Sequence, residues 1–340
     1  MRFRAAVIGC GAAGSRYASD PRVAGVYSHA GAYAACPDTD LVAVCDVDPA
    51  RLRDSVQQWN VPAQYDDAAT LLRNEQPDIV SICTPDATHF ALTRLALETT
   101  STRAVLAEKP LSLELTEAET LVHIADQRGV PLAVNYVRRF AASHREVEQR
   151  IRAGELGKIQ TVSGFYTKGL LHNGTHWFDL ARFLVGEVTE VQGFDVLQDG
   201  NIDPTLDAFL RFDNGAAGHL HGCDSSAFSL FEMDIVGTRG RVAILDSGYH
   251  IVWYDRRDSP HFTGYHALVE SSRVNAPLGD VTLDAVQDLV ESARDRRAPR
   301  CSGVDGVRAL AIAVAVRESA RACESRSPAR STVNRVAPAL

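Results

Sequence analysis

The hydrophobic pattern of the chain changes near its middle. Up to residue 136, short apolar runs typical of buried strands alternate with stretches of helical periodicity. Strands are predicted at "RAAVIG", "DLVAVC", "PDIVSIC", "AVLA" and "VPLAVNY", and helices over 88–100 and 115–129. Gly129 is expected to end the second of these helices. This strand–helix alternation predicts a parallel, doubly wound sheet.

From residue 158 onward, shorter strands are separated by turns. The predicted strands are "KIQTVSGFYTK", "VTEVQGFDVLQ", "TLDAFLRFDN", "AAGHLHGCD", "FEMDIVGTRGRVAIL" and "YHIVWYD". The turns at 213–215 and 237–240 have hairpin spacing, which favours antiparallel pairing. Two helices near 281–296 and 304–323 follow, and the tail from 323 looks loosely ordered, with a final strand still possible. We predict an α/β domain over 1–136 and an α+β domain with an open, mainly antiparallel sheet over 137–340.

Composition narrows the class of protein. A chain of 340 residues with 45% hydrophobic and 23% charged residues is typical of a soluble globular protein with two domains. The net charge of -8 argues against a nucleic-acid partner. We find neither an apolar run long enough to span a membrane nor the apolar core of a secretory signal. The seven scattered cysteines favour reduced thiols in the cytoplasm over a disulfide framework.

The first predicted strand runs into Gly9-x-Gly11-x-x-Gly14, with Ala12 and Ala13 between the last two glycines. In a dinucleotide-binding turn the first glycine allows the tight bend and the second lets backbone amides approach a pyrophosphate. The third lets helix and strand pack closely. The following helix N-terminus would face the phosphates. The pattern predicts a Rossmann domain, and the alternative is a glycine turn without a ligand.

Asp46 follows the second predicted strand. A carboxylate there can accept hydrogen bonds from the ribose hydroxyls of NAD and would repel the extra phosphate of NADP. We therefore expect NAD, with NADP less favoured; the alternative is an ordinary turn residue. Asp46 comes 32 residues after Gly14, more than the usual spacing of ~20. Pro21 and Gly25 interrupt the interval, so we predict a loop inserted between two helical pieces.

Four predicted strand ends carry polar residues. They are Asp46, Thr84, Lys109 and Asn135. Because ligands of doubly wound sheets bind at the carboxyl ends of the strands, these side chains are candidates for one site.

The N-terminal glycine motif occurs together with "TPDATH" at 84–89, "AEKP" at 107–110 and a later helix start with glycine then histidine. This combination resembles the glucose-fructose oxidoreductase/inositol dehydrogenase family, Gfo/Idh/MocA, over most of the chain. The resemblance implies a Rossmann domain followed by an open-sheet domain. It also implies oxidation of a secondary alcohol, or reduction of a ketone, on sugars, cyclitols or sugar nucleotides.

The resemblance implies roles for particular residues. Lys109 would lie near the nicotinamide and the substrate, and His176 would be the main proton-transfer residue. Thr84, Pro85 and His89 would lie along the cofactor, and we add Glu108 and Asn135 to the expected cofactor site.

The chemistry of alcohol oxidation agrees with these roles. A hydride cannot leave a hydroxyl-bearing carbon unless the hydroxyl proton also leaves, so a base must reach that oxygen. The ammonium of Lys109 would stabilise the developing alkoxide and lower the pKa of the base. The alternative for Lys109 is a solvent-exposed turn residue.

The stretch "GLLHNGTHWFDL" departs from the commonest family pattern, which has aspartate four residues before the histidine. This chain has His172 at that position. The division of labour among Lys109, His172 and His176 therefore stays open. No third ligand follows the two histidines at zinc spacing, so we expect no metal.

The helix that contains His176 raises further expectations. Asn173 or Thr175 is expected to cap it, with His172 on backbone that is not yet helical. Asp179 could orient His176 or pair with Arg182.

Several residues are candidates for contacts with the substrate. They are Tyr136, Arg139, Lys168, Asn173 and His176, and Arg16 and Arg138 are expected nearby. The cations among them could recognise a carboxylate or phosphate, or be ordinary charges at a domain edge. His219 and His221 share one face of a strand and favour polar structural roles.

We expect an NAD-dependent oxidoreductase with a small polyhydroxylated substrate and neither a nucleic-acid nor a membrane partner. One face of the second sheet could pair copies into a homodimer or homotetramer. One alternative is a redox-neutral enzyme that keeps NAD bound and performs elimination, hydrolysis or epimerisation. Another is a dinucleotide-sensing regulator without activity, against which the presence of both Lys109 and His176 speaks.

Overall fold

The computed structural model describes residues 2–322, so the possible final strand in the tail lies outside the described residues. The first sheet is six-stranded and parallel, in the order β3-β2-β1-β4-β5-β6. Its strands are β1 Phe3–Ile8, β2 Thr39–Cys45, β3 Ala63–Tyr65, β4 Ile79–Ile82, β5 Ala104–Ala107 and β6 Leu132–Val134. The helices between them are α1 His29–Ala35, α2 Pro49–Trp59, α3 Ala68–Glu75, α4 His89–Glu98 and α5 Leu115–Arg128.

The central strands are buried along their whole length. Every residue of β4 and β5 is buried, because helices cover both faces of the parallel sheet. Gly129 ends α5 with a left-handed φ of 60°, and its N–H bonds to the last turn of the helix. The predicted doubly wound sheet and this helix end are confirmed.

The predicted insertion after the glycine motif is also confirmed. A short 3-10 turn covers Arg16–Ser19, and α1 begins only at His29. The N–H groups of His29 and Ala30 bond to the carbonyl oxygens of Ala13 and Gly14, both at 2.9 Å. The helix that starts at the glycine motif therefore resumes after a detour through residues 15–28.

The detour reaches the second half of the chain. The N–H of Val26 donates to Oδ1 of Asp280 at 3.0 Å. The hydroxyls of Tyr27 and Tyr249 lie 2.8 Å apart. These bonds tie the segment after the glycine turn to elements beyond the first sheet.

The second sheet has eight strands in the order β14-β13-β12-β11-β7-β10-β9-β8. Its pairs are antiparallel except β7 with β10, which confirms the mainly antiparallel arrangement. The strands are β7 Ile159–Tyr166, β8 Val188–Phe194, β9 Asp207–Phe212, β10 Ala217–Gly222, β11 Phe231–Gly237, β12 Gly240–Leu245, β13 His250–Asp258 and β14 His266–Asn275. The helices α6 Ala142–Arg152 and α7 Thr175–Leu184 belong to the same half of the chain.

Several elements escaped sequence analysis, namely α2, β3, α3, α6 and β14. The edge strand β14 pairs only with β13, and nearly all its residues are exposed, so it lacks the alternating apolar signal. Helix α6 is strongly polar, with only His144, Val147 and Glu148 buried.

The last two helices, α8 Val281–Asp295 and α9 Gly303–Ala322, pack against the first half of the chain as well as the second. Helix α8 contacts α1 and β5, and α9 contacts α5, α7 and β8. Ser302 forms an isolated bridge with Ala133 next to the end of β6. Over residues 2–322, no helix has the length and apolarity needed to cross a bilayer.

Candidate active site

The glycine turn after β1 has the packing that a dinucleotide-binding turn requires. Gly9 has a φ of +99°, and a Cβ there would clash with the backbone of Cys83. A Cβ on Gly14 would overlap the carbonyl oxygen of Gly9. A Cβ on Gly11 would meet nothing within 4 Å. Steric contact with neighbouring backbone therefore requires glycine at positions 9 and 14, whereas Gly11 leaves open space beside the backbone for a ligand.

Asp46 lies beside this turn, directly after β2. Its Oδ2 accepts a hydrogen bond from the N–H of Cys10 at 2.7 Å. Its Oδ1 accepts one from the N–H of Asp48 at 2.9 Å. The carboxylate is therefore fixed next to the glycine turn, where Rossmann domains bind ribose.

His89 braces two loops at the carboxyl edge of the sheet. Its Nε2 lies 2.8 Å from the carbonyl oxygen of Thr84, and its Nδ1 lies 2.6 Å from that of Pro110. Both ring nitrogens are engaged by backbone, so His89 holds the segment of Thr84 and Pro85 against the segment after Lys109.

Glu108 is the centre of a buried polar network. Its Oε1 accepts a hydrogen bond from Asn135 Nδ2 at 2.8 Å and lies 3.1 Å from His29 Nε2. The other nitrogen of His29 lies 2.9 Å from Ser81 Oγ. Burial alone would raise the pKa of Glu108, but the hydrogen bond and charge of His29, together with Lys109, lower that pKa to about 2. Sequence analysis missed His29 and Ser81, although a buried glutamate in "EKP" already required a partner.

Lys109 contacts His172 across the site. Its Nζ donates to the carbonyl oxygen of His172 at 2.9 Å and lies 3.4 Å from Nδ1 and 3.5 Å from Nε2 of the same residue. Burial is the main cause that lowers the pKa of Lys109, against the opposing charges of Glu108 and Asp86. The side chain is only 9% exposed and is therefore held in place.

Two carboxylates that sequence analysis missed hold the His172 segment. Oδ2 of Asp86 lies 3.3 Å from His172 Nδ1. Asp203 accepts hydrogen bonds from the N–H groups of Leu171 at 2.8 Å and His172 at 2.9 Å. Residues 170–174 form a π-helical turn, so the expectation of non-helical backbone at His172 was wrong.

The expected side-chain cap of α7 is also absent from the described part of the chain. Asn173 donates instead to the carbonyl oxygen of Thr167 at 2.9 Å, and the Thr175 hydroxyl donates to that of Leu171 at 2.8 Å. Because the π turn continues directly into α7, the first turn of the helix needs no capping side chain.

His176 lies one residue inside α7, with its ring edge-on to buried Tyr136 at a centroid distance of 5.3 Å. Burial lowers the pKa of His176 well below its usual value, and the charges of Lys109, Arg138 and His172 lower it further. At neutral pH the imidazole is therefore uncharged, the form that a base requires.

Asp179 does not orient His176. Its carboxylate pairs with Arg139 Nε, at 3.0 and 2.9 Å, and lies 3.9 Å from Arg182. Arg139 also reaches Asp305 at 3.2 Å. Arg139 was expected to contact the substrate, but its guanidinium is buried in this ion-pair network. Its charge is already satisfied by the protein, since two carboxylates bind it.

The remaining candidates lie at the rim. Lys168 is exposed and has a φ of 69°, in the turn between β7 and the π turn. Arg16 is exposed on the detour. Over the range that the structure describes, no group of three or more histidine, cysteine, aspartate and glutamate side chains could hold a metal.

Comparison with known families agrees with this geometry. The model of the "Oxidoreductase family, NAD-binding Rossmann fold" matches residues 3–136. The model of the "GFO/IDH/MocA C-terminal domain" matches residues 167–243. The chain belongs to the GFO/IDH/MocA family. It is an oxidoreductase whose N-terminal half is an NAD-binding Rossmann domain, as the sequence motifs predicted.

Similar proteins act on sugars and cyclitols. The D-apiose dehydrogenase of Paraburkholderia graminis is 27% identical over an alignment that covers 100% of this chain and 92% of the relative. The scyllo-inositol 2-dehydrogenase (NAD(+)) of Bacillus subtilis is 29% identical over 61% of this chain and 67% of that protein. An oxidoreductase from Agrobacterium radiobacter, solved in complex with NAD+, L-tartaric acid and magnesium, shares the fold. Its TM-score is 0.75 at 21% identity, and the match covers 94% of this chain and 97% of that one.

Proposed function

We propose that this protein oxidises a secondary alcohol of a polyhydroxylated, sugar-like or cyclitol-like substrate with NAD, or catalyses the reverse reduction. The observation that carries the proposal is that Lys109, just past the end of β5, donates to the carbonyl oxygen of His172 at 2.9 Å, four residues before His176 on the same continuous helical segment. A neutral base beside a buried cation is the arrangement that removal of a hydroxyl proton requires.

Three features of the first sheet fit NAD. The space beside Gly11 is open, and Asp46 is fixed next to it by two backbone N–H groups. Asn135 Oδ1 is buried without a hydrogen-bond partner among the described residues, and it lies in the Glu108 network at the end of β6. A buried acceptor of this kind calls for a donor from a ligand, and the nicotinamide carboxamide offers one. When bound, NAD supplies the hydride acceptor.

The chain's own side chains then divide the proton chemistry. His176 accepts the proton from the substrate hydroxyl on a ring nitrogen. Lys109 stabilises the negative charge that develops on the same oxygen, because its ammonium is buried and held by the His172 carbonyl. We assign His172 the role of positioning Lys109, with Asp86 and Asp203 holding His172 in turn.

We also propose a homodimer or homotetramer, paired through the open face of the second sheet. Phe165 and His221 on that face pack together at a centroid distance of 5.6 Å, and Phe209 and His219 pack at 5.1 Å. Phe165 keeps 43% of its surface exposed, as expected for a residue that a second copy covers. The six cysteines among residues 2–322 are free thiols, which supports our proposal of a cytoplasmic protein.

The test is a screen for NADH formation with sugars, sugar acids, cyclitols and sugar nucleotides, run with wild type and with His176→Ala. The proposal predicts NADH with at least one compound and its loss in the variant. Protein that releases stoichiometric NAD on denaturation and converts a substrate without net NADH would instead indicate the redox-neutral alternative. Light scattering of the purified protein tests the oligomer, for which a monomer would be the contradicting result.

A further inference from the structure

Arg138 lies just past the carboxyl end of β6 and contacts elements of the second half of the chain. It belongs to the 3-10 turn Val137–Arg139 that follows β6. Its Nη2 donates to the carbonyl oxygen of Ser247 at 2.6 Å, and its Cζ lies 3.7 Å above the ring of Phe231. The guanidinium is thus held between the end of the Rossmann sheet and elements of the second sheet.

Its charge is not balanced by any acid in the described part of the chain. The groups that act on it are the hydroxyls of Tyr27 and Tyr249. Its Nε is buried against Gly248, beside His144, and is not the atom that would meet a ligand. The next residue provides the contrast, since Arg139 is paired with Asp179 and Asp305. Burial lowers the pKa of Arg138 to about 10, so it still carries its charge at neutral pH.

A half-buried cation with no carboxylate within salt-bridge distance among residues 2–322 is a favourable place for a bound anion. The ring of Phe231 and the carbonyl of Ser247 stabilise the charge in part. Neither contact neutralises the charge, which is strong enough to lower the pKa of both Lys109 and His176. The chain also places Arg138 two residues after Tyr136, whose ring packs edge-on against His176 at a centroid distance of 5.3 Å.

The carboxylates of the site are engaged elsewhere. Glu108 is bound to His29 and Asn135. Asp86 and Asp203 hold His172. None of the three pairs with Arg138, so within residues 2–322 its charge remains available to an anion of a bound molecule.

We infer that Arg138 binds a carboxylate of the substrate, so that the substrate is a polyhydroxy acid such as an aldonate or a uronate. This inference rests on the proposed function and narrows it to one substrate class. A single guanidinium, already holding one carbonyl oxygen, matches a monoanion better than the dianionic phosphate of a sugar ester. The carboxylate fixes the register of the polyol chain and so decides which hydroxyl reaches His176.

The experiment compares acids with their neutral counterparts. D-gluconate is paired with D-glucose, and D-galacturonate with D-galactose, with D-glucose 6-phosphate as a third arm. NADH formation gives kcat and KM, and calorimetry on the NAD-loaded protein gives binding directly. The inference predicts that at least one acid is bound and oxidised in preference to its neutral counterpart.

The variants isolate the charge. Arg138→Gln is expected to raise KM for the acid by roughly 10- to 100-fold, since one charge-assisted bond is lost, with a smaller change in kcat and little change for neutral sugars. Arg138→Lys keeps the charge but loses the planar guanidinium, so its KM for the acid should lie between those of wild type and Arg138→Gln. Arg94→Gln, on the exposed face of α4, is the matched control and should change nothing.

Each contrary result has a distinct meaning. Preference for neutral sugars, or an Arg138→Gln variant with an unchanged ratio of acid to neutral KM, overturns the inference and leaves the proposed function standing. Preference for the phosphate ester overturns the choice of carboxylate. If neither these compounds nor the wider screen of sugars, cyclitols and sugar nucleotides yields NADH, the proposed function fails, but a calorimetric preference for acids that Arg138→Gln abolishes would still support the anion site. The wild-type comparison decides the matter even if Arg138→Gln does not fold.

Discussion

The ammonium of Lys109 is anchored to His172 through the backbone, because Nζ lies 2.9 Å from the His172 carbonyl oxygen and 3.4 Å from the nearer ring nitrogen. Substitution of the His172 side chain therefore leaves the shortest of these contacts in place. His172 and His176 should accordingly respond differently to mutation.

His172→Ala is expected to lower kcat by less than about 10-fold, since the carbonyl that holds Lys109 remains. His172→Asp should keep measurable activity, because a carboxylate beside Lys109 can pair with the ammonium. Steady-state kinetics with both variants, with folding checked by circular dichroism, measure this. Loss of activity in His172→Ala equal to the loss in His176→Ala would assign His172 a direct part in the chemistry.

Lys109 should affect both the rate and its pH dependence. Lys109→Met is expected to reduce kcat by roughly 10²-fold or more, because stabilisation of the oxyanion is lost. His176 must be neutral to act, and its pKa is lowered by burial and by Lys109. The acid limb of kcat/KM should therefore lie below the ordinary histidine value in wild type and move to higher pH in Lys109→Met. A limb that stays in place or moves to lower pH would contradict the assignment.

Asp46 should set the choice between NAD and NADP. Asp46→Ser removes the carboxylate that would face a 2′-phosphate, so the ratio of kcat/KM for NAD over NADP should fall by roughly 10-fold or more. Both values are also expected to drop, because the hydrogen bonds to Cys10 and Asp48 are weakened. Asp48→Ser, at the cap of α2, serves as a control. An unchanged ratio in Asp46→Ser would remove Asp46 from cofactor recognition.

His144 should make the fold sensitive to acid. Burial, helped by the charge of Arg138, lowers the pKa of His144 to about 3. Above the unfolded value of about 6.5 both states are neutral, and below it only the unfolded state gains the proton. Stability is therefore lost as pH falls from 6.5 toward 3, by about 2 kcal/mol at pH 5.

His144→Leu should remove most of this loss, so that Tm falls less between pH 8 and pH 5 than in wild type. His123→Gln, on the exposed surface of α5, is the control, and its Tm should change with pH as the wild-type Tm does. A wild-type Tm with the same pH dependence as His144→Leu would show that His144 does not titrate on unfolding.

The fold could be predicted largely from apolar periodicity and a few backbone-limited residues. Gly9 and Gly14 are required by steric contacts that allow no Cβ, and such constraints are visible in sequence. The strand β14 could not be predicted, since it is an exposed edge whose side chains pack against little.

The site was only partly predictable for a different reason. Lys109 and His176 follow motifs, but the partners that fix them are distant in sequence. Asp203 holds His172 through backbone N–H groups, and His29 reaches Glu108 only because the detour of residues 15–28 lets α1 resume beside β4. Arg139 shows the same limit. The sequence suggests only that its charge lies near the site, whereas the structure shows that Asp179 and Asp305 already pair with it.

The central claim is that His176, kept neutral by burial and by the charge of Lys109, takes the proton while NAD is reduced. The most direct measurement is kcat/KM for NADH formation against pH for wild type, His176→Ala and His172→Ala on the substrate that the screen identifies. The account predicts a loss of roughly 10²-fold or more in His176→Ala together with loss of the wild-type acid limb, and a retained limb in His172→Ala. A His176→Ala enzyme with the wild-type rate and pH profile would contradict it.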